Sequence, residues 1–328
     1  MFKQLVIISV LIVFVVQFSS GKKNIQLLQV QNFKTEAIGF GLVRFSVINM
    51  RKTFAHNSEL LSQAVMGTPV KILKDSNDWT LIQTPDKYIG WVTSLSIISM
   101  SADQMQHWKR AERMMFIAQE GSVYSDTLKT GYVSDLVMSS IVVRLNVENN
   151  WTEVQLPDGR KGFTENKQLV SFSQWAKQVS PDGEKLSSLA RQFMGIPYLW
   201  GGASTKFFDC SGFVKTLYFM QGLILDRNAS SQFLQGLPVD MAQKFSYLKQ
   251  GDLLFFGYLS KGKPHPTHVG MYIGNMTFIH ESDWVHVNSL DPDQPDYSKY
   301  YVGRLLGVRR FIFIGNEKYK IINNNWYF

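Results

Sequence analysis

The sequence contains a single cysteine, Cys210, among 328 residues. One cysteine cannot form an intramolecular disulfide, so this thiol is either an inert buried side chain or a nucleophile. Clusters of His, Cys, Asp and Glu with ligand spacing are also missing, so we expect neither a metal site nor a cofactor. No Lys/Arg stretch is long enough, or interleaved enough with aromatics, to indicate nucleic-acid binding. The formal net charge of +8 then indicates a basic solvated surface or attraction to an anionic polymer or membrane surface.

Long hydrophobic runs are missing except at the amino terminus. There Lys3 precedes an apolar stretch over residues 5–18, which a Ser-Ser-Gly sequence ends. This pattern is typical of a secretory signal, and the apolar stretch is too short to span a bilayer comfortably. We therefore predict a signal peptide at residues 1–21 and an exported protein, periplasmic or extracellular. Membrane contact is expected only through this segment, if it stays uncleaved.

An internal repeat occupies the first half of the chain. Residues 67–91 and 139–163 match without a gap at an offset of 72. Both copies contain short runs of alternating apolar and polar residues separated by Asn, Asp and Pro turns, which is typical of small antiparallel barrels. A period this long indicates two small domains and not a solenoid. The identical pairs include Val70/Val142, Leu73/Leu145, Trp79/Trp151, Pro85/Pro157, Asp86/Asp158 and Gly90/Gly162.

The second half of the chain has a different pattern. After a polar linker, with Ser180 or Asp182 as candidate cap, apolar residues recur at helical spacing up to Gly195, and a second helix is predicted over 210–220. Helices followed by antiparallel strands predict an α+β domain. The strand patterns lie at 252–256, 268–273, 277–280, 285–287 and 307–312. We divide the chain into a first barrel domain with an amino-terminal extension, a second barrel domain and an α+β domain, at residues 22–100, 101–172 and 173–328.

Cys210 lies at the predicted start of the second helix. Backbone N–H groups and the helix dipole stabilise an anion there, so we expect the pKa of the thiol to be lowered. The same N–H groups can hold a developing oxyanion. Ser211 and Gly212 are small and leave room for a substrate carbonyl, and Asp209 is a poor neighbour for an apolar pocket. These neighbours favour a nucleophile over an inert thiol.

A thiol nucleophile needs a base, and the sequence offers six histidines. His268 opens an apolar strand and would face the nucleophile helix as general base. His280 ends the next strand and would orient the His268 imidazole. The two histidines share a sheet face only if the intervening turn has an odd number of residues or a bulge. We predict such a turn, with Gly270 paired to His280 and His268 as the diagonal neighbour.

These residues resemble a known family. YLWGG at 198–202, DCSG at 209–212 and HVGMYIG at 268–274, followed by His280, are similar to motifs of the NlpC/p60 cysteine peptidases, papain-like enzymes that cut bacterial cell-wall peptides. The resemblance covers about residues 185–315. It implies Cys210 as nucleophile, His268 as base and His280 as third residue, with an oxyanion hole formed by the Tyr198 hydroxyl and the Cys210 N–H.

The two repeats resemble the bacterial SH3-like modules of cell-wall proteins. The expected fold class is therefore α+β, with a papain-like catalytic domain preceded by two small SH3-like β-barrels. In this combination the chain resembles the subgroup that cleaves the γ-D-glutamyl-L-diamino acid bond of peptidoglycan stem peptides with a free N-terminal L-alanine. In that subgroup the first module closes one end of the cleft.

The resemblance also implies the substrate-binding residues. Glu59 and Tyr88 of the first module, with Asp209 and Ser211, would hold the free amine, and Trp200 would contact the substrate. The second repeat has Arg160 where the first has Tyr88, which fits a specialised role for Tyr88. Asn228 stands where the family often has a carboxylate, which weakens any role of that loop in supplying charge.

Two alternatives remain open. One is a non-catalytic cell-wall binding protein whose catalytic fold is vestigial, and the intact set of one cysteine and two histidines argues against it. The other keeps the fold and changes the reaction to amidase or acyltransferase chemistry. The expected partners are peptidoglycan stem peptides, with no nucleic acid, and the expected state is a monomer.

Overall fold

The computed structural model of the protein describes residues 36–242, 245–313 and 315–328. The predicted signal peptide at residues 1–21 lies outside the described residues. Two seven-stranded sheets, a two-stranded sheet and a six-stranded sheet follow one another along the chain. Among the helices of the described ranges, none is long and apolar enough to cross a membrane.

The first seven-stranded sheet, called the first module below, has the order β3-β2-β6-β5-β4-β1-β7. Ile48, Val70, Ile82 and Val92 form part of its buried core, which is the apolar half of the alternating pattern. The strands are β1 (Gly39–Val43), β2 (Val47–Arg51), β3 (Leu60–Val65), β4 (Pro69–Ser76), β5 (Trp79–Gln83), β6 (Ile89–Thr93) and β7 (Ile97–Met100).

The second seven-stranded sheet, the second module, has the order β10-β9-β13-β12-β11-β8-β14. This is the order of the first module with every strand number raised by seven, so the sequence repeat corresponds to a repeated fold. Helix α1 (Ala102–Arg110) joins the modules and begins with a capping box of Ser101 and Gln104. The strands are β8 (Arg113–Phe116), β9 (Glu120–Tyr124), β10 (Tyr132–Val137), β11 (Ile141–Glu148), β12 (Trp151–Gln155), β13 (Lys161–Glu165) and β14 (Leu169–Ser171).

The remaining chain forms the α+β domain. Its six-stranded antiparallel sheet has the order β17-β22-β18-β19-β20-β21. The helices are α2 (Phe172–Gln178), α3 (Gly183–Arg191), α4 (Cys210–Met220), α5 (Ala229–Phe233) and α6 (Lys299–Val302). The strands are β15 (Ala203–Ser204), β16 (Phe207–Phe208), β17 (Leu237–Pro238), β18 (Leu253–Ser260), β19 (Lys263–Gly274), β20 (Thr277–Ser282), β21 (Trp284–Ser289) and β22 (Leu305–Arg310).

The predicted helices and strands of this domain are present. Four of the strands, β18 to β21, are longer than predicted, and β22 begins and ends two residues earlier. Asp182 caps α3 by accepting a hydrogen bond from the Lys185 N–H, which confirms one of the two candidate caps. The prediction of β19 over 268–273 was too short, because the β18–β19 hairpin continues to Lys263. Its outer half is largely exposed and polar, so the apolar pattern does not mark it.

The two faces of the six-stranded sheet have different roles. On one face Val269, Met271 and Ile279 pack with Val214 and Leu217 of α4 in a shared core. The opposite face forms a second core from Leu254, Phe256, Tyr272, Phe278, Leu290 and Val308, with Tyr301 packed against it. Cys210, the first residue of α4, therefore begins a helix that packs on the first of these faces.

Candidate active site

The nucleophile turn is built from β16 and the start of α4. Asp209 is the N-cap residue, and its Oδ1 accepts a hydrogen bond from the Gly212 N–H at 2.7 Å. This cap satisfies a free donor of the first turn and fixes where the helix begins. Cys210 follows directly and is about 7% exposed, so the thiol lies at a closed edge of the core.

The pKa of the Cys210 thiol departs from the sequence-based expectation. Burial, and next the Asp209 carboxylate, raise this pKa to about 12, whereas we expected helix-terminal N–H groups to lower it. The N–H groups of Val269 and Ser211 and the charge of Arg227 act in the expected direction but are the smaller effects. The expectation of a lowered thiol pKa was therefore wrong, because burial outweighs the helix-terminal N–H groups.

The predicted register of the histidine strands is confirmed. Gly270 pairs with His280, and the register shifts between Tyr272 and Gly274. The bulge offsets the two-residue turn and brings both histidines onto one sheet face. His268 Nε2 and His280 Nδ1 lie 2.8 Å apart, and their rings are nearly perpendicular.

The hydrogen bonds beyond His280 define the tautomers of both imidazoles. Asn288 Nδ2 donates to the Asp296 carbonyl at 3.2 Å, so its Oδ1 is the atom 3.0 Å from His280 Nε2. An amide oxygen only accepts, so His280 carries its proton on Nε2 and its Nδ1 accepts from His268 Nε2–H. His268 then presents an unprotonated Nδ1, which is the nitrogen of a neutral imidazole that can take a proton.

The surroundings of His268 keep its imidazole neutral. The Tyr301 ring stacks on it, with centroids 4.8 Å apart, and Phe256 lies on it at 5.9 Å. Burial, and next the charge of His286, lower the pKa of His268 to about 3. Burial and the two neighbouring histidines lower the pKa of His280 to about 2. Val269, the next residue after His268, has its N–H facing the Cys210 thiol, and Tyr301, which stacks on His268, has Cys210 among its electrostatic neighbours.

Tyr198 and Trp200 lie on the segment before the nucleophile. The Tyr198 N–H donates to the Asp283 carbonyl, and the side chain is half-buried. Burial and the nearby Cys210 raise the pKa of Tyr198, so its hydroxyl remains a hydrogen-bond donor. Trp200 is 62% exposed, which is the environment of a contact surface and not of core packing.

Arg227, which we did not predict, stands at the centre of a buried network. Its side chain is about 2% exposed and forms a bidentate ion pair with Asp209, at 3.0 Å and 2.5 Å. Asp209 also accepts from the N–H groups of Gly201 and Gly212 and from the Ser211 hydroxyl. These five donors fix the orientation of the Asp209 carboxylate. Asp209 and Ser211, which we predicted to hold the substrate amine, therefore both bind Arg227. The prediction did not include this arginine.

The two predicted substrate-binding residues of the first module have different surroundings. Tyr88 is half-buried and hydrogen-bonds the Asn228 side chain, with Arg227 and Asp209 among its charged neighbours. Glu59 is exposed, and its carboxylate pairs with Lys52 at 3.1 Å. Tyr88 thus lies at the edge of the buried network around Arg227. Glu59 precedes β3, the strand whose Ser62 contacts that network.

Glu281, which we also missed, is a buried carboxyl beside the site. It is fully buried, and neither oxygen has a hydrogen-bond partner among the described residues. Burial and the carboxylates of Asp209 and Asp283 raise its pKa to about 8. An acid side chain within an apolar strand gives no sign in the sequence of whether it is paired.

Signals for the other missed residues were present in part. Strand alternation places Asn288 on the same face as His286, which pairs with His280. Arg227 is adjacent to Asn228, but no local pattern indicates its distant partners. Within the described parts of the chain, no group of three or more His, Cys, Asp or Glu is arranged to hold a metal ion.

Comparison with known proteins agrees with this geometry. The sequence profile of the NlpC/P60 family matches residues 195–306, and that of the bacterial dipeptidyl-peptidase Sh3 domain matches residues 50–97. The chain is 28% identical to the dipeptidyl-peptidase 6 of Lysinibacillus sphaericus, over 74% of this chain and 88% of that protein. It is 26% identical to a gamma-D-glutamyl-L-lysine dipeptidyl-peptidase of Bacillus cereus, over 78% of this chain and 76% of that protein.

A solved structure shows the same fold. The crystal structure of an NlpC/P60 family protein from Bacillus cereus superposes with a TM-score of 0.71 at 21% identity, over 84% of this chain and all of that chain. The chain therefore contains an NlpC/P60 domain at residues 195–306, behind a bacterial dipeptidyl-peptidase SH3 domain at residues 50–97.

Proposed function

We propose that this protein is a cysteine peptidase that cleaves the γ-D-glutamyl-L-diamino acid bond of peptidoglycan stem peptides carrying a free N-terminal L-alanine. The observation that carries the proposal is the oriented relay from the Asp296 carbonyl through Asn288 and His280 to His268. It ends in an unprotonated nitrogen of His268, which precedes Val269 on β19, and the Val269 N–H faces the Cys210 thiol. The relatives named as dipeptidyl-peptidases support the choice of substrate.

The chemical steps follow from the protonation states. The Cys210 thiol gives its proton to His268 Nδ1 as sulfur attacks the γ-carbonyl carbon. The Cys210 N–H and the Tyr198 hydroxyl hold the tetrahedral oxyanion. His268 then protonates the departing amine of the diamino acid, which leaves a thioester. Finally His268 takes a proton from water, and the resulting hydroxide hydrolyses the thioester to release L-Ala-γ-D-Glu and restore the thiol.

The site for the free amine combines residues of the first module with residues that flank Cys210. Tyr88, beside Asn228, and Glu59 at the start of β3 are its first-module residues, and exposed Trp200 provides a flat contact surface. Asp209 and Ser211 would contribute while held by Arg227, which balances the charge of Asp209. Because Asn228 is neutral, Glu59 is the negative charge that this site would add, and it would exchange Lys52 for the substrate amine.

Cleavage of defined peptides tests the function. L-Ala-γ-D-Glu-L-Lys and its diaminopimelate counterpart are incubated with the wild type and with Cys210→Ala, and the products are identified by mass spectrometry. We expect L-Ala-γ-D-Glu from the wild type alone, and no cleavage of the N-acetylated peptides. Lack of cleavage by the wild type would favour a binding protein, and cleavage only of N-acetylated peptides would exclude the amine site. Transfer of the acyl group to an added amine, without hydrolysis, would favour an acyltransferase.

We also propose that the protein is exported and acts as a monomer on cell-wall peptides. The predicted signal at residues 1–21 supports export, and relatives such as the probable peptidoglycan endopeptidase LytE of Bacillus subtilis support a cell-wall substrate. Cell fractionation with amino-terminal sequencing of the recovered protein tests export and cleavage near residue 21. Light scattering after size-exclusion chromatography tests the monomeric state.

A further inference from the structure

The Arg227 guanidinium joins two parts of the protein that are distant in sequence. Its Nε donates at 2.8 Å to the Ser62 hydroxyl, which belongs to β3 of the first module. Its other nitrogens donate to Asp209, to the Ser211 hydroxyl at 2.9 Å and to the Gly202 carbonyl at 3.3 Å. Ser62 is therefore the partner outside the α+β domain, and the other three residues flank Cys210 in sequence or contact its turn.

The contacts around Arg227 continue along the same junction. Gln63 Oε1 accepts from the Ala203 N–H at 3.1 Å and from the Ser204 hydroxyl at 2.9 Å. Gly201 has a φ of +82°, and a Cβ atom there would lie 2.7 Å from Leu60 Cγ, so β3 leaves room for glycine only. The first module thus supports the segment before Cys210 at three positions, 201, 203 and 204, and reaches the nucleophile turn itself through Arg227.

The geometry of the Arg227 guanidinium lets it fix the orientation of the Asp209 carboxylate. A guanidinium is a rigid planar fork that can hold both oxygens of a carboxylate and still present Nε to a third acceptor, which the single ammonium of a lysine cannot do. Asp209 Oδ1 is also the helix cap of α4, so the orientation of its carboxylate sets the position of the first turn. That turn carries the Cys210 N–H and the thiol.

We propose that Arg227 is a positioning residue that makes the geometry of the Cys210 turn depend on the docked first module. Arg227 does not touch the substrate: it holds the Asp209 carboxylate, and Ser62 holds Arg227. A displacement of about 1 Å in a reacting group lowers the rate by about 100-fold, so small changes in this network are expected to appear in kcat. The inference rests on the proposed function only for its kinetic test.

Alkylation of Cys210 by iodoacetamide tests the inference without any substrate. Cys210 is the only cysteine, so the full chain gives one signal with no competing thiol. The test variants are Arg227→Lys and Ser62→Ala. The matched controls are Arg310→Lys, which alters the ion pair to buried Asp252, and Lys215→Met, which removes an ion pair between α4 and Asp86 of the first module.

We expect Arg227→Lys to slow alkylation at pH 8 about tenfold and Ser62→Ala about threefold, with the apparent pKa of the reaction moved upward in both. The kcat for peptide cleavage should fall in parallel, with KM within about twofold of the wild type. Both controls should alkylate within about twofold of the wild-type rate. Melting temperatures of all four variants identify any loss that comes from unfolding.

Wild-type alkylation rates and kcat in both test variants would overturn the inference. Equal losses in the controls would also overturn it, because they would assign the effect to general weakening of the domain. If the wild type cleaves no peptide while the contrast in alkylation persists, the proposed function fails and the positioning role stands.

Discussion

The two modules have the same strand order, but their equivalent turns bind different parts of the protein. In the Pro-Asp turn of the first module, Asp86 pairs with Lys215 of α4 at 3.3 Å. In the same turn of the second module, Asp158 pairs with Arg44 of the first module at 3.1 Å and with its own neighbour Arg160 at 2.8 Å. The repeated fold supplies a nearly buried carboxylate twice, and the neighbouring chain decides what that carboxylate holds.

Tyr88 and Arg160, which occupy equivalent positions of the two repeats, differ in the same way. Tyr88 follows Asp86 and turns toward Asn228 and Arg227 at the site. Arg160 follows Asp158 and binds that carboxylate and the Val133 carbonyl within its own module. One turn therefore lies next to the residues that surround Cys210, while the other stabilises a junction between modules.

Exchanging the two side chains should produce the largest effect. Tyr88→Arg places a second cation beside Arg227, where a substrate amine would bind, so we expect kcat/KM for free-amine peptides to fall about 100-fold, or ~2.7 kcal/mol. The matched variant Arg160→Tyr should leave kcat/KM within about twofold. Steady-state kinetics with L-Ala-γ-D-Glu-L-Lys measure both, and equal losses in the two variants would remove the distinction between the modules.

The buried, unpaired carboxyl of Glu281 should affect stability in the opposite direction to the paired carboxylates of the turns when the pH rises. Glu281 has a pKa of about 8 in the folded protein against an ordinary value of 4.5, so folding favours its protonated form. Its ionisation destabilises the fold as the pH rises from about 5 through 8. Glu281→Gln does not titrate, so its free energy of unfolding should gain roughly 2 kcal/mol on the wild type between pH 6 and pH 8. Urea unfolding at several pH values measures this, and parallel curves would contradict it.

Within the site, the hydrogen-bond acceptor Asn288 determines the tautomer of His280. Asn288→Leu removes the acceptor for His280 Nε2 and with it the tautomer that leaves His268 Nδ1 free, so we expect kcat to fall about tenfold. Asn288→Asp keeps an acceptor and should retain most of the activity at pH 7 and above. Comparison of kcat in the two variants is the measurement. Similar losses in both would show that the relay does not depend on an acceptor at position 288.

The smallest effect is expected at Asp158. Burial alone would raise the pKa of this carboxyl, but the hydrogen bonds of Arg160 and Arg44 leave it lowered overall. Its stabilisation is present above the unfolded pKa near 4 and is lost as the pH falls through the folded value. Asp158→Asn should cost about 1 kcal/mol in the free energy of unfolding at pH 7, with the partly exposed arginines limiting the loss.

The Asp158 prediction is checked by denaturant unfolding at pH 7 and pH 3.5. The difference from the wild type should shrink at the lower pH, and kcat should stay within about twofold. Asp86→Asn is the matched variant at the other turn. A fall in kcat for Asp158→Asn alone would contradict the assignment of the second module to a structural role.

Much of the fold was predictable because its signals are local. The 72-residue repeat predicted two similar sheets. The requirement that His268 and His280 share a sheet face predicted either an odd-numbered turn or a bulge, and the structure has the bulge. Contacts between distant segments left no such signal. Arg227 binds Ser62 across 165 residues, and nothing near either residue indicates the other. The outer part of β19, residues 263–267, was missed because its polar residues do not alternate with apolar ones.

By itself the sequence determined which chemical groups are present and in what order: one thiol at a helix start, histidines at strand ends and a duplicated module. These follow from periodicity, turn chemistry and spacing, which act between near neighbours. Only the tertiary structure decided the protonation of those groups and their partners. Burial raises the pKa of Cys210 and lowers that of His268. The folded chain also pairs Asp209 with the Arg227 guanidinium. Desolvation and ion pairing depend on what surrounds an atom in space, and chain position alone does not specify those surroundings.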